Sequence, residues 1–123
     1  MSKTFYFDTY ALIEIGKDNP SYIPYEKGVK IMLNKLNLLE LMLFLIRENR
    51  EHEIDEKFAQ LSKFNIDYDD EILKKVAQMK HAYAKERLSY IDCIGYQIAK
   101  KHKVKFLTGD EKFKNKENVE FVK

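Results

Sequence analysis

Four acidic residues sit where acids are scarce. Asp8 ends the apolar run Phe5-Tyr6-Phe7, and Glu40 lies inside Leu38-Leu39-Glu40-Leu41-Met42-Leu43. Asp92 opens Ile91-Asp92-Cys93-Ile94, and Asp110 follows Val104-Lys105-Phe106-Leu107-Thr108-Gly109. Desolvating an unpaired carboxylate is costly, so acids in apolar segments need a partner. None of the four has an evident Lys or Arg at pairing distance on an apolar helix face. Clustered carboxylates repel one another and take up protons unless a cation relieves them. An oxygen-only donor set without His or Cys suits Mg²⁺ or Mn²⁺ better than zinc. One or two such ions activate a water and steady the leaving oxygen in phosphodiester cleavage.

Each acid also has a local explanation. Asp8 can N-cap a helix. Ser89 to Asp92 matches a capping box. Asp110 can hold a Gly-Asp turn. A cap cannot explain Glu40, which falls mid-helix among leucines.

The elements that must position these residues alternate between strand and helix. Residues 3–7 read as a short buried strand, followed by a helix capped at Asp8-Thr9. Lys17 to Tyr25, with two prolines, reads as a loop, and Val29 to Met32 as a second strand. Asn34 or Asn37 begins an apolar helix to about Arg50, and another helix runs from Ile54 to Lys63. Phe64 to Tyr68 alternates like a strand. Asp69 or Asp70 caps a helix from Glu71 to Arg87, and Ser89 caps the next, Tyr90 to His102. Val104 to Leu107 and Val119 to Val122 complete the strands. This order predicts an α/β fold: a Rossmann-like three-layer α/β/α arrangement around a mostly parallel sheet of 4–5 strands. In such sheets, sites form beyond the carboxyl ends of the strands, where all four acids are expected.

Composition narrows the function classes. The 123 residues fit one domain, 1–123, with 45% hydrophobic and 34% charged side chains. The net charge of +2 gives no overall argument for nucleic-acid binding, so a basic footprint must be local. Lys35, Arg47, Arg87 and Lys112 are the nearest basic candidates, and Tyr10 and Tyr96 flank the acid motifs. Cys93 is the only cysteine and residues 3–7 are too short for a secretory signal core, which suits a cytoplasmic protein. The apolar run Leu36 to Ile46 is well below the ~20 residues of a membrane span. His52, His81 and His102 show no ligand spacing and read as surface residues. Exposed apolar surface near Leu38–Ile46 or Ile54–Leu61 is the candidate for dimerisation.

The segments Phe7-Asp8-Thr9-Tyr10-Ala11-Leu12, Leu36-Asn37-Leu38-Leu39-Glu40-Leu41, Leu88-Ser89-Tyr90-Ile91-Asp92-Cys93-Ile94 and Phe106-Leu107-Thr108-Gly109-Asp110 resemble, in order and spacing, a PIN domain. The likeness is closest to the VapC-type toxin subunit of VapBC toxin–antitoxin pairs. It implies catalytic and metal-binding roles for Asp8, Glu40, Asp92 and Asp110, with helper hydroxyls at Thr9 and Thr108. It further implies a Mg²⁺- or Mn²⁺-dependent ribonuclease acting on single-stranded or structured RNA, a homodimer, and inhibition by a small antitoxin. The chain departs from many relatives in carrying Asn rather than Ser or Thr ahead of the second acid. Asn37, one turn before Glu40, is a supporting candidate, either as a cap or by reaching a water in the site. The alternative reading is a catalytically inactive PIN-like module that binds RNA or protein.

Overall fold

The computed structural model describes residues 3–123. Four strands form one all-parallel sheet: β1 (Lys3–Phe7), β2 (Val29–Met32), β3 (Lys105–Thr108) and β4 (Val119–Phe121), in the order β2-β1-β3-β4. The chain leaves β1 for β2 on one side and later returns to β3 on the other. The carboxyl end of β1 is therefore a switch point, where neighbouring connections part and leave a crevice. Asp8 is the first residue beyond that end.

Among the described residues there are five α-helices, α1 (Thr9–Gly16), α2 (Lys35–Arg47), α3 (Ile54–Leu61), α4 (Asp70–Ala82) and α5 (Tyr90–Lys101), with α3 packed on α2. Side chains alternate across a strand, and β1 shows the result. Phe5 and Phe7 join Leu107, Ala11, Leu12 and Leu38 in the core on the α1/α2 side. Tyr6 joins Phe106, Ile72, Val76, Cys93 and Ile98 in the core on the α4/α5 side. The three-layer α/β expectation is thus met, with four strands.

The sequence reading differs from the structure in three places. Phe64 to Tyr68 forms no strand: only Leu33 and Asn65 make a single parallel bridge, because Ser62–Phe64 already turns as a 3-10 helix. Residues 17–25 are not all loop, since Pro20–Tyr25 forms a 3-10 helix capped by Asn19, whose side chain accepts from Ser21 N. The helix expected to reach Arg87 ends at Ala82. Beyond it, Lys80 Nζ donates to the Leu88 carbonyl, Lys116 Nζ pairs with Glu86 at 2.6 Å, and Arg87 takes a left-handed backbone (φ 53). These tertiary ties hold residues 83–88 in a connection that no local propensity specifies.

Candidate active site

Asp8, Glu40, Asp92 and Asp110 line one cavity of about 310 Å³, together with Thr9, Tyr10, Ile13, Leu43, Phe44 and Arg47. Each acid arrives by a separate local device. Asp8 N-caps α1: its Oδ1 accepts from Ala11 N at 2.9 Å. Asp92 lies in the first turn of α5, which Ser89 caps by accepting the Asp92 amide at 3.0 Å. Asp110 caps the 3-10 turn Glu111–Phe113 through Lys112 N at 3.0 Å. Glu40 is carried in by α2, whose N-cap is Asn34, with Asn37 completing a capping box. The local explanations for Asp8 and Asp110 are therefore correct, and capping is also how the fold delivers them to the cavity.

Both expected helper hydroxyls touch acids. The Thr9 hydroxyl donates to Glu40 Oε1. The Thr108 hydroxyl accepts from Asp110 N at 3.0 Å, and its nearness to the Asp8 carboxyl opposes the upward push of burial there. Asn37 is buried and reaches no open space; its Nδ2 donates to Thr9 Oγ1 at 3.1 Å and its Oδ1 accepts from Asn34 N and Tyr6 Oη. Tyr6 is the residue that sequence reasoning missed. The available signal was a hydroxyl inside a Phe-Tyr-Phe strand, since a buried tyrosine needs a hydrogen-bond partner.

Close packing fixes the floor. A Cβ at Gly109 would stand 2.4 Å from the Val122 carbonyl oxygen and 2.2 Å from the Tyr10 ring. Glycine is thus required between Thr108 and Asp110. Tyr10 packs against this glycine, and Tyr96 is buried in the core with its hydroxyl donating to Glu117 O at 2.6 Å.

Electrostatics sets the cavity apart. Asp8 is 1% exposed, and its carboxyl is pushed up to about 8, chiefly by burial and further by repulsion from Asp92 and Asp110. Asp92 is pushed up to about 6, again chiefly by burial, with Glu40 adding repulsion and Lys112 opposing it. None of the four acids is in an ion pair among the described residues. Desolvated like charges with oxygen donors fit a hard divalent cation. Among the described residues no three His, Cys, Asp or Glu form a ready-made ion cage. The donor set therefore fits Mg²⁺ held through one or two carboxylates with waters completing the shell, the usual way that ion binds.

Of the basic candidates, Arg47 lines the cavity. Lys112 lies near Asp92, and its Nζ donates to the Arg87 carbonyl at 3.2 Å. Lys35 does not line it. Lys100 and Lys101 pair with Glu117 and Asp69 instead. Cys93 is buried, and burial pushes its thiol up to about 11, so it is an inert core residue. His52, His81 and His102 are exposed.

A three-layer parallel α/β fold with acids gathered at its switch point defines the class, and sequence comparison names it. The PIN-domain family profile matches residues 5–119, so the chain belongs to the PIN domain family, whose members are generally nucleases. The fold resembles that of a toxin–antitoxin complex from Klebsiella pneumoniae, with a TM-score of 0.75, 19% identity and 94% of each chain covered. It also resembles PAE2754 from Pyrobaculum aerophilum, with a TM-score of 0.64, 18% identity, and 98% of this chain and 92% of that one covered. No curated protein matches the sequence significantly. Among the described residues no helix is long and apolar enough to cross a membrane.

Proposed function

We propose that this protein is a Mg²⁺- or Mn²⁺-dependent endoribonuclease and the toxin of a toxin–antitoxin pair. The observation that carries the reading is the convergence of Asp8, Glu40, Asp92 and Asp110 on one cavity in a PIN-family chain. A bound divalent ion would supply an activated water and offset charge developing on the scissile phosphate. The chain's own part is to bind and to position. Asp8 and Asp92, whose charged forms burial and neighbouring acids disfavour, are acids that a bound cation would relieve. Glu40 and Asp110 set the approach from the cavity's other elements. Arg47 lies two helical turns beyond Glu40 and is in no ion pair among the described residues, which leaves its guanidinium available to a backbone phosphate. Leu43, Phe44 and Ile13 give the cavity an apolar wall against which a base or sugar packs.

The partner reading rests on the resemblance of the sequence motifs to VapC-type toxins and on a structural relative described as a toxin–antitoxin complex. Leu39, Ile46 and Phe58 offer exposed apolar surface for an antitoxin or a second copy. The protein then acts in the cytosol on cellular RNA.

The test is incubation of purified protein with defined single-stranded RNAs and Mn²⁺, followed by mapping of the products. Discrete cleavage that EDTA abolishes and Asp8→Asn removes is expected. Intact RNA, or cleavage unaffected by either change, would overturn the assignment. Growth arrest on expression, relieved by a small neighbouring gene, tests the toxin reading separately.

A further inference from the structure

Tyr6 lies outside the cavity lining and is fully buried in β1, yet its hydroxyl begins a line of hydrogen bonds that ends on Glu40. Tyr6 Oη donates to Asn37 Oδ1, Asn37 Nδ2 donates to Thr9 Oγ1 at 3.1 Å, and the Thr9 hydroxyl donates to Glu40 Oε1. The direction of this line is forced. The backbone N–H of Asn34 can only donate, and it faces Asn37 Oδ1 at 3.2 Å. That contact settles which end of the amide is oxygen and turns the NH₂ toward Thr9. Thr9 oxygen accepts, so its single proton goes to Glu40. One oxygen of Glu40 is thereby tied, and Oε2 is left without a protein hydrogen bond among the described residues.

Packing holds the head of the line. The Tyr6 ring stacks on Phe106 with centroids 5.8 Å apart and presses on α5 where that helix has Gly95. A Cβ there would stand 2.6 Å from Tyr6 Cε1 and 3.0 Å from its hydroxyl oxygen. The ring is therefore closely packed against both Phe106 and α5, which holds its hydroxyl in place. Partners one layer out commonly fix the ligands of a metal in this way.

We infer that Tyr6 and Asn37 are positioning residues: through Thr9 they fix which oxygen of Glu40 is offered to the cation. The inference rests on the divalent-ion reading of the cavity. A merely structural tyrosine, satisfied because it is buried, would affect folding without coupling to Glu40.

Calorimetric Mn²⁺ titration of the wild type, Tyr6→Phe, Glu40→Gln and the double variant separates these cases. Tyr6→Phe should weaken Mn²⁺ binding about tenfold, with the circular dichroism spectrum unchanged. In the Glu40→Gln background the same substitution should cost nothing further. Wild-type affinity in Tyr6→Phe, or an equal loss in both backgrounds, would overturn the inference. So would wild-type affinity in Glu40→Gln alone. Asp8→Asn serves as the control for the reading beneath: if it too binds Mn²⁺ like the wild type, the metal assignment fails, and with it the inference. Should Tyr6→Phe not fold, Asn37→Ala, which removes the link between Tyr6 and Thr9, carries the same cycle.

Discussion

Asp8 and Asp92 are acids whose charge burial resists, although Asp8 is also held as a helix cap, whereas Glu40 and Asp110 stand out for the hydrogen bonds that place them. Burial is the main force on the first pair, pushing them up to about 8 and about 6. On the second pair, Thr9 donates to Glu40 and Asp110 caps its own turn. The contrast assigns different work to the two halves of one cavity. On the proposed reading, a cation entering it would relieve the desolvation and repulsion at Asp8 and Asp92, while the Thr9 hydrogen bond would orient Glu40.

The largest expected effect falls on the resisted half. Asp8→Asn should lower RNA cleavage by about 10³-fold, the scale seen when a group used in the transition state is removed. Asparagine keeps an oxygen for the Ala11 amide, so the cap on α1 survives and a circular dichroism spectrum should show the fold intact. Full activity would erase the distinction between the halves.

The pH dependence of stability follows from the same burial. The folded-state value of Asp8, about 8, lies above its ordinary value of 3.8, so the folded protein holds a proton that the unfolded chain has lost in between. Stability without metal is then fully present below about pH 4 and declines as pH rises toward 8, by on the order of several kcal/mol. Asp92 adds to the decline between about pH 4 and pH 6. Melting of the EDTA-treated protein across pH 4–8 should show this slope. Asp8→Asn should flatten it and melt above the wild type at pH 8. A rising slope would mean that these acids are paired rather than stranded.

Smaller effects sharpen the geometric half. Gly109→Ala forces a methyl against the Val122 carbonyl and the Tyr10 ring, beside Asp110. A loss of roughly 2–3 kcal/mol in denaturant unfolding is expected, the upper range for overpacking. Arg47→Ala should raise KM for RNA about fivefold while leaving kcat nearly unchanged, the pattern of lost uniform binding to one phosphate. A fall in kcat instead would move Arg47 from substrate binding into the chemical step.

Much of this was legible in the sequence because it depends on near neighbours. Val29–Met32 is found as expected, and Asn34, Asp69 and Ser89 cap the helices they precede. These signals are local: a side chain that accepts an amide two or three residues on. The shared edge of the four acids was also readable, since strands alternating with helices leave one carboxyl end. Three features were not legible because long-range contacts decide them. The segment 64–68 alternates like a strand, yet it meets β2's extension at a single bridge, Leu33 to Asn65. Helix α4 stops early where Lys80 and Lys116 hold the following residues. Tyr6 finds its partner Asn37 across 31 residues of chain.

The central claim is that the acid cavity takes a divalent cation, and Mn²⁺ titration at pH 7 in buffers of different ionisation enthalpy tests it most directly. At that pH Asp8 is largely protonated and Asp92 largely ionised. Binding should therefore release about one proton per protein as the ion displaces it, and Asp8→Asn should abolish that release. Mn²⁺ binding with no proton release, or no binding at millimolar Mn²⁺, would contradict the account.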